Sequence, residues 1–175
     1  RGPGSVIPND AALNARISTP GVDGPITLGA SSVSSVNTLL QDTETAAVVT
    51  VTNTAFQTSG ILLAAGKAAL TIGTEPGEGA IMPLDAGGSL TVVNHDPTAL
   101  LTLNAPITNN TSASSLVKAG AGTVVLAGSN TFTGAIAIND GSLVFGGSVT
   151  QTVSNAISGP GTLVITAVVF FENRF

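Results

Sequence analysis

The stretch Lys118-Ala-Gly-Ala-Gly-Thr-Val-Val-Leu126 is echoed downstream by Ser158-Gly-Pro-Gly-Thr-Leu-Val-Ile165. In each, a Gly-x-Gly-Thr turn launches a short apolar run. Looser copies are Asp85-Ala-Gly-Gly-Ser-Leu-Thr-Val92 and Asp140-Gly-Ser-Leu-Val-Phe145. A recurring turn-and-strand unit marks a repeat architecture, because one unit cannot bury its own apolar face and has to stack on copies.

Outward from these copies, comparable runs lie at 46–51, 61–63, 69–72, 89–93, 99–103, 123–126, 135–138, 142–145 and 162–165, separated by Gly, Asn or Asp. Rich in Val, Ile, Leu and Thr, they predict short strands. No stretch repeats apolar residues at i, i+3, i+4 and i+7 over several turns, so helix is expected only as a short piece at Asp10-Ala11-Ala12-Leu13. A β-sandwich fills its inter-sheet gap of about 10 Å with large side chains, often aromatic. Here there are six Phe and no Trp or Tyr, which suits a narrower core. The prediction is an all-β chain: a right-handed parallel β-helix, or β-solenoid, with short rungs and little or no helix.

At about 4.8 Å per rung and about 20–25 residues per coil, the chain would make about seven or eight rungs. Period-2 alternation sends Val124, Leu126, Ile136, Ile138, Leu143, Phe145, Leu163 and Ile165 into the core. Lys118 is expected to be replaceable at little cost. Asn53, Asn94, Asn104, Asn130 and Asn139 flank strands, where Asn suits rung-to-rung hydrogen bonds and left-handed corners. Residues 1–45 read as an irregular N-terminal segment or cap, with loops at Gly and Pro clusters, and residues 46–175 as the solenoid. The whole is one domain.

Composition narrows the function. Charged residues are 9% of the chain, against roughly a quarter in ordinary domains. With hydrophobic residues at 43%, disorder is excluded, since it needs the reverse balance. The net charge is −5, and the basic residues Arg1, Arg16, Lys67, Lys118 and Arg174 are scattered, so no nucleic-acid partner is expected. The absence of Cys removes disulfides and thiol-bound metals. The longest apolar stretches, at 61–70 and 163–171, fall short of the roughly 20 residues a spanning helix needs. Because it begins with Arg1, the chain reads as a processed product or an excised portion of something longer.

Catalytic constellations are sparse. Glycoside hydrolysis needs two carboxylates on the order of 5–9.5 Å apart. Asp42/Glu44 and Glu75/Glu78 are the acid pairs closest in sequence, and both read as solvated pairs at coil edges. His95, beside Asp96, would be a catalytic or metal-binding pair only if the two shared a face. Neighbours in an extended turn point apart, so His95 reads as a loop histidine. The run at 60–68 (GILLAAGKA) departs from a phosphate loop in spacing and lacks the hydroxyl that would hold Mg²⁺. Gly120-x-Gly122 is a turn, and Asn109-Asn110-Thr111-Ser112 offers only chance glycosylation matches. No enzyme, cofactor or metal site is expected.

Residues 116–147, LVKAGAGTVVLAGSNTFTGAIAINDGSLVFGG, run in order through Lys118, Gly120, Gly122, Thr123, Gly128, Asn130, Thr131, Phe132, Thr133, Gly134, Gly141 and Leu143. This segment resembles the autotransporter-associated β-strand repeat, whose pattern opens K-x-G-x-G-T and continues G-x-N-T-aromatic-T-G. Residues 57–73 and 100–110 resemble weaker rungs of such passengers. The resemblance implies a right-handed parallel β-helix at the outer surface of a Gram-negative-type bacterium or outside the cell. Passengers of this kind are usually longer and end in a membrane barrel, which is not read here.

Two functional readings follow. The first is a structural solenoid that self-associates end to end into a filament. Its contact would be the uncapped apolar C-terminal stretch TLVITAVVFFENRF, through Val168, Val169, Phe170, Phe171 and Phe175. Its partners would be copies of itself, head to tail, and beyond these outer-membrane or extracellular-matrix components. The alternative is an adhesin-like passenger stalk presenting a binding face to a host or glycan.

Overall fold

The computed structural model describes residues 5–18, 25–30 and 32–171. In chain order the strands are β1 (Val6–Ile7), β2 (Asp10–Ile17), β3 (Ile26–Leu28), β4 (Val33–Gln41), β5 (Ala47–Thr50) and β6 (Ala55–Leu63). Next come β7 (Leu70–Ile72), β8 (Ala80–Met82), β9 (Ser89–Asn94), β10 (Leu101–Leu103), β11 (Ser115–Ala119) and β12 (Thr123–Leu126). The last are β13 (Ile136–Ile138), β14 (Ser142–Phe145), β15 (Gln151–Val153), β16 (Ile157–Ser158), β17 (Thr162–Ile165) and β18 (Val169–Phe171). Among the described residues there is no helix.

One sheet runs β1-β3-β5-β7-β10-β12-β14-β17, and a second runs β2-β4-β6-β9-β11-β13-β16 with β8 also on β6. A third pairs β15 with β18. Every strand ladder is parallel. The chain is a parallel β-solenoid of about seven turns.

Alternation makes the core. In β12, Val124 and Leu126 are buried and Thr123 and Val125 are half-buried; β14 repeats the pattern. Successive rungs stack these positions in register, so Val49, Ile72, Leu103, Leu126 and Phe145 form one continuous inward row. Slipping one strand by a residue would turn its share of the row out to water.

The structure corrects four expectations. The N-terminal stretch is not irregular where described: β2 and β4 are eight and nine residues long, and β4 pairs β6 along almost its whole length. Asp10–Leu13 lies inside β2, not in a short helix. Ile165 is not core but 43% exposed, and Leu163 is half-buried, because no described strand lies beyond β17 in its sheet. Lys118, expected to matter little, is fully buried. The other six residues assigned to the core are buried. Residue 31 and the segments 1–4, 19–24 and 172–175, and with them Phe175, lie outside the described residues.

Candidate interaction surfaces

The segment with the densest motif is built around a buried lysine. In β11, Leu116 points inward, so the period-2 alternation sends Lys118 inward as well. Lys118 sits in register with Val92 on one side and Ile138 on the other, a cation in an aliphatic row. Its ammonium escapes the core by turning toward the coil corner. There Nζ donates to the carbonyls of Gly120 (2.6 Å), Asp140 (2.8 Å) and Ala119 (3.1 Å). One side chain thereby satisfies the carbonyls of two successive turns while its stem fills the core. Burial pushes the Lys118 pKa below its ordinary value, with the Asp140 charge acting the other way.

The glycines that follow are there because coils touch at this corner. Gly120 has a φ of +77°, and a Cβ there would come within 2.3 Å of the Asn94 carbonyl oxygen. A Cβ on Gly122 would meet the Asp96 carbonyl oxygen at 2.1 Å. The K-x-G-x-G spacing therefore sets an internal cation at this corner and lays two bare backbone positions on the preceding coil's Asn94–Asp96 turn.

Buried Asn94 and half-buried Asn104 and Asn130 also tie the coils. Asn94 Nδ2 donates to the carbonyls of Ala99 and Thr123, both at 2.8 Å. Asn130 accepts from the Ile107 N–H at 2.9 Å and donates to Gln151 Oε1 at 2.8 Å. Asn104 donates to the Gly73 carbonyl at 3.0 Å. These Asn bond chiefly to a neighbouring coil's backbone, not to each other as a ladder. Asn53 takes the left-handed conformation, at φ +54°.

Among the described residues, the acids singled out in the sequence are held apart by other partners. Asp42 makes ion pairs with Arg16 and, at 3.9 Å, with Lys67, while Glu44 is exposed. Glu78 accepts from the hydroxyls of Thr52 and Thr74 and from the Thr74 N–H, and these bonds lower its pKa to about 2. Asp96 is buried and His95 exposed, so the two do not share a face. The Asp96 carboxylate accepts from the N–H of Ala99, the hydroxyl and N–H of Thr98, and the N–H of Gly66. Together these hold its pKa far below the usual range. It is a turn cap. Among the described residues no group of three His, Asp or Glu is placed to hold a metal ion, and no helix is long and apolar enough to cross a membrane.

The apolar residues near the last described rung stand open. Val168, Phe170 and Phe171 are 62%, 60% and 54% exposed. Val169 is partly buried against the core, and β18 is in register with β15. Four of the five residues predicted for self-association thus lie together along one strand or just before it, while Phe175 is outside the described residues. On the outer face of the second sheet there is also a cleft of about 510 Å³, which sequence reading missed because its lining comes from four different coils.

Residues 116–145 match the family model described as the passenger-associated-transport-repeat. The match begins in β11 and ends at Phe145 in β14, and so includes the Lys118 corner. No curated protein and no solved structure matches the chain.

Proposed function

We propose that the chain is a non-catalytic solenoid of the autotransporter-passenger type, secreted or displayed on a Gram-negative cell surface, that associates end to end through its last rung. The passenger repeat at 116–145 supports the passenger reading. The observation that carries the association is the apolar edge at Val168, Phe170 and Phe171, exposed beside strands whose outer hydrogen-bonding edges have no described partner. Apolar edges of high β propensity template pairing with another chain. A contact between unlike ends repeats head to tail, and where the copies stack along one axis it gives an open filament rather than a ring.

Negative-stain microscopy of the purified chain tests this, together with a Phe170→Ser/Phe171→Ser double variant. Filaments from the wild type, and discrete rods with an unchanged melting temperature from the variant, support the contact. Discrete rods from the wild type overturn it and leave the adhesin-like stalk as the better reading.

A further inference from the structure

We infer that the cleft on the outer face of the second sheet binds a medium-length acyl chain with an anionic head. Two rows of outward side chains border it. In register along one row are Asn14, Thr38, Gly60 and Thr91, and along the other Arg16, Leu40, Leu62 and Val93. The second row is a straight aliphatic wall ending in a guanidinium. Three strand spacings separate Arg16 from Val93, on the order of 14 Å.

Gly60 lines the cleft and adds no side chain to it. Most glycines of this chain are forced, by positive φ or by backbone within 3 Å of any added Cβ. Gly60 is not. A Cβ there would make ordinary contacts, 3.5 Å from the Thr91 carbonyl oxygen and 3.7 Å from Thr38 Cγ2. Glycine inside a strand weakens it and often marks a bulge, a tight bend or a close approach by a ligand or another backbone; the room left for a Cβ at Gly60 suits an approaching ligand.

The lining also fixes the class of ligand. It contains no aromatic ring on which a sugar could stack, and Leu40, Leu62 and Val93 offer a continuous apolar surface. Arg16 is the one charged residue in the lining; it pairs with Asp42 but its side chain stays 60% exposed, and Lys67, 3.9 Å from the same Asp42, leaves this end of the row with one positive charge in excess. A linear chain lying across the rungs, with its carboxylate toward Arg16, matches both the row and the charge. The inference does not depend on end-to-end association.

Isothermal titration of the full chain with dodecanoate, below its micellar concentration, tests the site. The expected result is saturable one-to-one binding, weakened at least tenfold by Gly60→Leu, which fills the notch. Leu62→Glu places an anion in the half-exposed wall and should weaken binding as much, so the test survives if Gly60→Leu misfolds. Absence of saturable binding overturns the inference, as does binding that neither variant weakens. Dodecyltrimethylammonium binding as tightly as dodecanoate would overturn the anionic head.

Discussion

The corner-and-strand unit at 118–126 and its echo at 158–165 have nearly the same sequence but different surroundings. In the first, strand β12 has β10 on one side and β14 on the other, and Val124 and Leu126 are buried. In the second, strand β17 has only β14 beside it among the described residues, and Leu163 is half-buried and Ile165 exposed. The motif sets the turn and the strand. Burial is conferred by the next coil, so in a stacked fold the same residue type is core or surface according to its neighbours.

The largest expected effect separates the two units directly. Leu126→Asp would bury an unpaired carboxylate between the filled rungs of Leu103 and Phe145 and should cost about 4 kcal/mol or more. Ile165→Asp, at the open rung, should change stability by no more than about 0.5 kcal/mol. Thermal melts followed by circular dichroism decide it, and equal losses would show that a further layer covers Ile165.

The next effect concerns the feature that the echo lacks, since with the Gly-x-Gly-Thr turns aligned Ile157 stands where Lys118 does. Lys118→Met keeps the apolar stem but leaves the carbonyls of Ala119, Gly120 and Asp140 without the ammonium. The loss should be about 2–4 kcal/mol, read from urea unfolding. A loss near zero would mean that water serves those carbonyls equally well.

The smallest effect asks whether neighbouring coils also secure polar loops. The folded-state pKa of Glu78 is lowered from 4.5 to about 2, first by the Thr52 hydroxyl on the coil before it. A carboxyl depressed in this way stabilises the fold above pH 4.5 and loses that contribution as pH falls through about 2. Glu78→Gln should flatten the stability profile over that interval. An unchanged slope would show that the contact does not outlive thermal motion of the loop.

Much of the fold was legible because turn residues and alternating apolar residues punctuate the chain at every coil from about 46 onward. The N-terminal strands were missed because Asn14, Arg16, Ser35 and Asn37 occupy their outward positions and dilute the apolar signal. Lys118 was readable in principle: alternation from Leu116 sends it inward, but lysine is so seldom buried that residue type outweighed period. The Gly60 cleft was not readable. Its rows join residues from four coils of unequal length, and only the register of the ladders brings them side by side.

The parallel ladders also dictate how the molecule bears load. Hydrogen bonds between rungs point along the long axis, so a pull on the two ends stretches them in series, and the weakest layer yields first. Each coil touches only its neighbours, so tearing should advance as a sawtooth, one coil's worth of chain per tooth. The tall tooth should belong to the coil pinned by Lys118, the molecule's rivet.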